Sequence, residues 1–274
     1  MNDFNKLCFI GAGNMCEALL AGIISSKFFP VENIILSDIR KQRLKYLEEK
    51  YDVKTTMDNK EAVKVSDIIF FSVKPQNIAT VLEEVGELLR SDQMVISIAV
   101  GIPTYFIESY MKEEVPVIRV MPNTPALFQS AISVLSKGKY ANDKHLNFAR
   151  ELFSCVGDVD ILPEKLQNAA AAINGCGPAY FFYFIESLVD AGISVGLNED
   201  IAKKLAVQTM EGSVKMLKES GKSPTELRRM VTSPGGTTIT ALEQFEKGAI
   251  RYHILKAIKA ATNRAEELSK QLMK

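Results

Sequence analysis

Short apolar runs alternate with charged amphipathic segments through the first 162 residues of the chain. The runs are KLCFI (6–10), NIILSD (33–38), DIIFFSV (67–73), MVISIAV (94–100) and PVIRVM (116–121). Between them lie segments with helical spacing, such as RKQRLKYLEEKY (40–51) and QNIATVLEEVGELL (76–89). Nearly continuous apolar runs are typical of strands buried on both faces, and their alternation with helices indicates βαβ units. The pattern predicts a parallel sheet covered by helices on both faces.

The pattern changes at Glu164, after which no convincing strand run follows. Segments such as NEDIAKKLAVQTMEGSVKMLKESG (198–221) have helical spacing and are rich in good helix formers. The predicted fold class is therefore α/β, with a doubly wound parallel sheet in residues 1–163 and an all-helical domain in residues 164–274.

Composition favours a small-molecule site. The 274 residues carry 33 basic and 33 acidic side chains with no block of like charge, which disfavours binding to nucleic acid or an anionic membrane. Four cysteines without CxxC spacing, and an N-terminus without signal-peptide features, favour a reduced, cytoplasmic protein. The most apolar stretch, 169–189, contains Asn174, Pro178 and Glu186, so we expect a core or subunit-interface helix there and not a membrane span.

The first apolar run ends in the glycine-containing sequence IGAGNMC. Gly11 permits a tight turn from strand to helix, and Gly13 allows the backbone to approach a pyrophosphate at the helix N-terminus. Cys16 replaces the third glycine of the GxGxxG pattern, but the position after a first strand and before a helix fits dinucleotide binding. The alternative is a purely structural glycine turn.

The second run ends with an acidic and a basic residue that point to different cofactors. Asp38 lies where a carboxylate bonds the adenosine ribose hydroxyls, which favours NADH, whereas Arg40 could receive the 2′-phosphate of NADPH. We expect both cofactors to work, with NADH used well. The alternative is that Asp38 only caps the next helix.

Two more polar residues follow predicted strands at the ligand-binding edge of the sheet. Lys74 lies in SVKPQN, and Asn123 lies between prolines in VMPNTP. Lys74 could equally be a solvated loop lysine, and Asn123 alone is a weak signal.

The sequence MVTSPGGTTITALEQF (230–245) predicts an anion site at the start of a helix. Gly235 and Gly236 expose backbone N–H groups, and Ser233, Thr237 and Thr238 add hydroxyls. The alternative is an ordinary helix cap. The glycines of NGCGPAYF (174–181) serve either close helix packing or ligand contact.

Other chemistry finds little support. The two histidines, His145 and His253, lie in amphipathic segments with charged neighbours and are read as surface residues. No clustered cysteine and histidine residues or carboxylate-rich loop indicates a metal, and no GxSxG motif indicates acyl transfer.

Taken together, FIGAGNM, VKPQ, MPNTPA, NGCGPAYFF and SPGGTTI resemble the pyrroline-5-carboxylate reductases, in order and spacing across essentially the whole chain. The resemblance implies an N-terminal Rossmann domain, a helical domain that interlocks with a partner subunit, and larger rings of dimers. It implies reduction of Δ1-pyrroline-5-carboxylate to L-proline, the last step of proline biosynthesis, with NADPH or NADH.

The resemblance also implies roles for individual residues. Its cofactor contacts fall on Ile10, Gly11, Ala12, Gly13, Asn14, Met15, Ser37, Asn59, Ser72, Val73, Lys74, Pro75 and Val100. Its substrate contacts fall on Glu164, Ser233, Gly235, Gly236 and Thr238, and the Thr238 hydroxyl is expected to meet the ring nitrogen. Departures from the family pattern at Asn174, Cys176 and Met230 affect expectations about fine substrate contacts.

Two alternatives stay open at this point. One is another imine or β-hydroxyacid reductase on the same scaffold, although segment 169–189 lacks the catalytic lysine usual in hydroxyacid enzymes. The other is a nucleotide-sensing protein without turnover.

Overall fold

The computed structural model describes residues 4–272, which form two compact units. The first unit comprises the chain up to Cys176 and again from Ala261, and the second is Gly177–Ala260. Residues 164–176 thus pack with the sheet, whereas the sequence places them after the domain boundary. The division at residue 163 stays a prediction.

The first unit is built on one eight-stranded sheet in the order β3-β2-β1-β4-β5-β6-β7-β8. All neighbouring strands are parallel except β6 and β7. The strands are β1 Leu7–Ile10, β2 Ile34–Ser37, β3 Lys54–Thr56, β4 Ile68–Phe71, β5 Met94–Ser97, β6 Val117–Met121, β7 Ala131–Lys137 and β8 Gly157–Ile161. The predicted α/β class with a doubly wound sheet is confirmed, and the sheet is mostly parallel.

Helices lie between the strands and then form the rest of the chain. They are α1 Asn14–Ser25, α2 Lys41–Tyr51, α3 Asn59–Lys64, α4 Ile78–Val85, α5 Thr104–Glu108, α6 Asp143–Ser154, α7 Gln167–Ile173, α8 Gly177–Ser194, α9 Glu199–Glu219, α10 Pro224–Met230, α11 Thr237–Lys247 and α12 Ile250–Leu272. Among residues 4–272 the last strand ends at Ile161, which agrees with the helical spacing read after Glu164.

Alternate residues of the central strands supply two separate hydrophobic cores. Leu7 and Phe9 of β1 belong to one buried cluster, and Cys8 and Ile10 belong to the other. Because successive strand residues point to opposite faces, the sheet has a packed layer on each side. This explains why the strand sequences read as continuous apolar runs.

Two strands beyond Met121 were not among the predicted runs. The sequence predicted a parallel sheet, but β7 runs antiparallel to β6. β8 has the sequence GDVDI, in which aspartates alternate with apolar residues on a largely exposed edge strand. An edge strand can alternate polar and apolar residues because one face is exposed. β8 therefore lacks the continuous apolar run by which the buried strands were predicted.

The second unit exposes many apolar side chains on its helices. In α8, Phe182 and Tyr183 are 66% and 71% exposed, although α8 packs against α9. Contiguous exposed apolar surface of this kind marks an interaction face. Within residues 4–272, none of the helices combines the length and apolar character needed to cross a bilayer.

Candidate active site

The turn after β1 has the geometry that the glycine pattern predicts. Gly11 adopts φ +97°, and a Cβ there would lie 2.9 Å from the Ser72 carbonyl group, so the position requires glycine. The Gly11 N–H donates to the Ser37 carbonyl at 2.7 Å, and the Ser72 hydroxyl donates to the Gly11 carbonyl. The turn is therefore fixed from β2 and from the end of β4.

The start of α1 fits the pyrophosphate of a dinucleotide. Gly13 is the N-cap residue, it has no side chain to cap the helix, and a Cβ there would meet nothing within 4 Å. The N–H groups of Asn14, Met15 and Cys16 have no acceptor in the described part of the chain. Open space in front of free N–H groups at a helix N-terminus is an anion cradle.

Asp38 is bound within the protein on both carboxylate oxygens. Oδ2 accepts the Ala12 N–H and Arg40 Nη2, and Oδ1 accepts Arg40 N and Nε, all at 2.8 to 2.9 Å. Burial alone would raise the pKa of this carboxyl, but these hydrogen bonds outweigh it and hold the pKa below its ordinary value. Arg40 remains 58% exposed, so its cation faces solvent beside the glycine turn.

Arg43 is a part of this site that the sequence reading missed. Its guanidinium donates to the carbonyls of Ala12 at 2.7 Å and Gly13 at 3.3 Å and pairs with Glu17 at 2.6 Å. It thereby fixes the carbonyl side of the glycine turn. The only hint in the sequence was that Arg43 lies in the first turn of the helix predicted from RKQRLKY. Because many helices have a basic residue there, this position did not single out Arg43.

Other predicted cofactor residues surround this turn. The Ser37 hydroxyl donates to Asn59 Oδ1 at 2.7 Å, and Asn59 Nδ2 donates to Glu84 at 2.8 Å. Lys74 is exposed after β4, and no partner for its ammonium group is found in residues 4–272. The structure places the remaining predicted contacts, Ile10, Val73, Pro75 and Val100, at the carboxyl ends of β1, β4 and β5.

Asn123 differs from the exposed residues of the predicted set. Its buried side chain accepts the Ile132 N–H at 3.1 Å and donates to the Asn174 carbonyl at 3.2 Å. Asn174 in turn donates to the carbonyls of Met121 and Ile132. These bonds give Asn123 and Asn174 a structural role in joining α7 to the ends of β6 and β7. A cofactor contact by Asn123 stays a prediction.

In the second unit, Ser233-Pro-Gly-Gly forms a tight turn directly before α11. The Gly236 N–H donates to the Ser233 carbonyl at 3.1 Å, and Gly235 has φ +70°. Proline followed by a residue with positive φ is the signature of a type II turn, which explains the first glycine. A Cβ on Gly236 would lie 2.5 Å from Ser233 Oγ and 3.3 Å from the Ser233 carbonyl oxygen, so a larger residue there would move the Ser233 hydroxyl.

The donors of this second turn are free. Gly236 caps α11 without a side chain, and the N–H groups of Thr237 and Thr238 have no acceptor within residues 4–272. The hydroxyls of Ser233, Thr237 and Thr238 likewise have no partner there. The predicted anion site is thus a cluster of unused donors at the start of an 11-residue helix.

Neither histidine belongs to these turns. His145 Nδ1 accepts the Asn142 N–H in the capping box of α6, and burial lowers the pKa of the imidazole. No group of three potential metal ligands occurs among the side chains that the structure describes.

Both halves of the chain match models of known families. Residues 6–101 match the family described as NADP oxidoreductase, coenzyme F420-dependent, and residues 164–268 match pyrroline-5-carboxylate reductase dimerisation. The pyrroline-5-carboxylate reductase of Methanosarcina acetivorans is 40% identical over 97% of this chain and 98% of its own. That of Corynebacterium melassecola is 38% identical over 96% and 98%. The chain belongs to the pyrroline-5-carboxylate reductase family.

Solved structures of this family superpose over nearly the whole chain. The reductase of Coxiella burnetii has a TM-score of 0.90 at 35% identity and covers 97% of this chain and 99% of its own. The Plasmodium falciparum enzyme, solved with NADP bound, has a TM-score of 0.88 at 32% identity, covering 98% and 99%. The family and the Rossmann fold inferred from the sequence motifs are confirmed.

Proposed function

We propose that this protein reduces Δ1-pyrroline-5-carboxylate to L-proline with NADPH or NADH, the last step of proline biosynthesis. The observation that carries the proposal is the likeness to pyrroline-5-carboxylate reductases at 38 to 40% identity across almost the full length of both chains. It spans both units, so the nucleotide turn and the Ser233 turn are included together.

The nucleotide-binding role falls to the first unit. The α1 N-terminus and the Gly11 turn hold the pyrophosphate, and Arg40, beside Asp38, faces the adenosine ribose. When bound, NAD(P)H supplies a hydride to the C=N carbon of the substrate. Lys74 and Val100, at the carboxyl ends of the next strands along the sheet, contact the other half of the dinucleotide.

The substrate-binding role falls to the turn before α11. The free N–H groups of Thr237 and Thr238 and the Ser233 hydroxyl hold the substrate carboxylate, and no arginine is needed. Gly235 provides the turn, and the Thr238 hydroxyl positions the ring nitrogen. The resemblance also assigns Glu164 to the substrate.

A dedicated proton donor is not required. A protonated iminium is already electrophilic, and solvent can supply its proton, so the protein mainly orients two bound molecules. Such orientation contributes on the order of 7 to 11 kcal/mol to the lowering of a barrier.

The match to the dimerisation model and the exposed apolar face of α8 support a homodimer in which residues 169–195 are buried across a two-fold axis. Rings of such dimers are part of the proposal, as is a cytoplasmic location, which the four unpaired cysteines support. A monomer at micromolar concentration in sedimentation velocity would contradict the dimer.

The deciding experiment mixes the purified protein with pyrroline-5-carboxylate and NADPH or NADH and follows loss of nicotinamide absorbance. We expect turnover and L-proline as the product. Cofactor binding without turnover would indicate a nucleotide sensor. Turnover only with another imine or a β-hydroxyacid would indicate the related reductases.

A further inference from the structure

Glu164, which the resemblance assigns to the substrate, already has protein partners on both carboxylate oxygens. Oε1 accepts the Thr104 N–H at 2.6 Å, and Oε2 accepts the Thr104 hydroxyl at 2.7 Å. Thr104 is the first residue of α5, so Glu164 caps that helix from 60 residues away. A capping role accounts for this geometry without a ligand.

A buried arginine also pairs with the carboxylate. Arg119 lies in β6 with 8% of its side chain exposed, and its Nη1 is 3.6 Å from Glu164 Oε1. Its Nη2 donates to Asn168 Oδ1 at 2.9 Å. Burial lowers the pKa of this guanidinium, and the Glu164 charge opposes that effect. A buried cation without its carboxylate would be costly, so the pair is held together.

The helix start fixed by Glu164 ends the loop that follows β5. Residues 98–103 connect β5 to Thr104, and the Ile102 N–H donates to the Ala99 carbonyl at 3.3 Å. This turn places Gly101 at φ +77° and leaves Val100 exposed at its tip, while Ile102 is fully buried. The loop is short, and anchoring Thr104 therefore fixes the position of Val100.

The loop is packed on a second side as well. A Cβ on Gly101 would lie 3.2 Å from Ser269 Oγ, and Ser269 is buried near the end of α12. The part of α12 beyond Ala260 belongs to the first unit. Val100 thus lies in a loop whose Gly101 packs against α12 and whose end, at Thr104, is bonded to the Glu164 carboxylate.

The sheet order assigns this loop to one half of the dinucleotide. Asp38 and Arg40 follow β2, on the β3-β2-β1 side, where the adenosine ribose binds. β4 and β5 lie on the other side of β1, so the loops that carry Lys74 and Val100 face the nicotinamide half.

We infer that Glu164 and Arg119 are positioning residues for the nicotinamide half of the cofactor, acting through Thr104 on the 98–103 loop. The inference rests on the proposed function only for the identity of the dinucleotide. It predicts that damage to the Thr104 contacts weakens binding of the whole cofactor and leaves binding of its adenosine half intact.

The test uses Thr104→Val, which keeps the side-chain shape and removes the hydroxyl, beside Thr104→Ser, which keeps the hydroxyl. NADPH and adenosine 2′,5′-bisphosphate are titrated into each full-length protein by calorimetry. We expect Thr104→Val to raise the Kd for NADPH about tenfold, the change that corresponds to about 1.4 kcal/mol. The Kd for the bisphosphate should not change, and Thr104→Ser should restore NADPH binding.

Thr55→Val is the matched control, because the Thr55 hydroxyl also donates to a glutamate, Glu48, but at the β3 edge of the sheet. It should alter neither Kd. Glu164→Gln should follow Thr104→Val, with a rise in the KM for NADPH. If Thr104→Val leaves NADPH binding unchanged, or weakens both probes equally, the inference is overturned.

The same set separates this inference from the proposed function. If Glu164→Gln raises only the KM for pyrroline-5-carboxylate and leaves NADPH binding intact, Glu164 is a substrate contact and the positioning role is wrong. If the wild type binds NADPH but does not reduce pyrroline-5-carboxylate, the proposed function fails while the calorimetric comparison can still be read.

Discussion

The turns before α1 and α11 are both glycine turns at helix starts, but they differ in what holds them. The turn at Gly11 is bonded on both its N–H and carbonyl sides, by Ser37, Asp38, Ser72 and Arg43. The turn at Ser233 is closed by a single hydrogen bond to Gly236, and its hydroxyls have no partners in the described chain. The first turn is preorganised by these bonds, whereas the second is held by fewer bonds within the chain.

This difference predicts different responses to mutation. In the first turn the backbone conformation is fixed by hydrogen bonds to neighbouring residues. A substitution that does not fit this conformation should therefore lower the stability of the fold. In the second turn the donors face solvent, so a substitution there should weaken ligand binding more than it lowers the stability of the fold. Gly11→Ala and Gly236→Val test that contrast.

Gly11→Ala should damage the fold itself. A Cβ would meet the Ser72 carbonyl group at 2.9 Å, and φ +97° costs a non-glycine residue about 1 to 3 kcal/mol before that clash is counted. We expect a lower melting temperature and loss of NADPH binding, measured by thermal denaturation and calorimetry. Gly13→Ala is the control, since its Cβ meets nothing and its φ is −74°. It should keep most of the stability and lose cofactor affinity. Equal melting temperatures for the two variants would contradict a preorganised turn.

Gly236→Val should act on the substrate. The valine Cβ would lie only 2.5 Å from Ser233 Oγ, so the Ser233 hydroxyl would have to move. The valine methyl groups would cover the free N–H groups at the start of α11. We expect a KM for pyrroline-5-carboxylate at least tenfold higher, a loss of about 1.4 kcal/mol, with near-normal cofactor affinity. Ser233→Ala separates loss of the hydroxyl from blockage of the backbone and should cost less. Unchanged substrate kinetics in folded Gly236→Val would remove the anion site from this turn.

Asp38→Asn should shift the choice of cofactor. The carboxylate repels a 2′-phosphate and also holds the Arg40 guanidinium by two side-chain bonds. We expect the wild type to use both cofactors, and the substitution to raise the NADPH to NADH ratio of kcat/KM several-fold, with about tenfold as the upper end. Arg40→Gln should shift the ratio the other way. The wild type could instead strongly prefer NADPH, with a kcat/KM ratio that Asp38→Asn leaves unchanged. Asp38 would then only stabilise the glycine turn.

The sequence predicted what depends on neighbouring residues. The turns at Gly11 and Gly235 were found because positive φ and proline requirements are local. β1 to the end of β6 were largely found because strands buried on both faces must be apolar, whereas β3 is short, with the sequence KTT, and was not among the runs. β8 alternates aspartates with apolar residues at an edge, so its pattern carried no comparable signal.

Contacts between distant residues were beyond reach of the pattern. The bond from Thr104 to Glu164 spans 60 positions, and that from Asn123 to Asn174 spans 51. Each joins a side chain to the backbone of a distant residue, and the local sequence of either partner equally suits a solvent-exposed loop. The resemblance assigned Glu164 to the substrate, and the place of Asn123 at the sheet edge suggested a ligand contact. Only the folded geometry shows their structural bonds.

Thr238→Ala should lower catalytic efficiency without abolishing turnover, because it changes one donor among several at the Ser233 turn. The Thr238 N–H at the start of α11 is retained in alanine, so the carboxylate site persists and only the hydroxyl is lost. If that hydroxyl bonds the ring nitrogen, its loss costs about 0.5 to 1.5 kcal/mol for a neutral bond and up to about 3 kcal/mol for a charge-assisted one. Measurable turnover should remain, with kcat/KM lowered and cofactor affinity unchanged. Thr237→Ala removes the neighbouring hydroxyl and keeps the Thr237 N–H, and it should cost less, since the resemblance places the Thr238 hydroxyl and not that of Thr237 at the ring nitrogen. Complete loss of turnover in folded Thr238→Ala would instead make the hydroxyl an obligatory part of proton transfer.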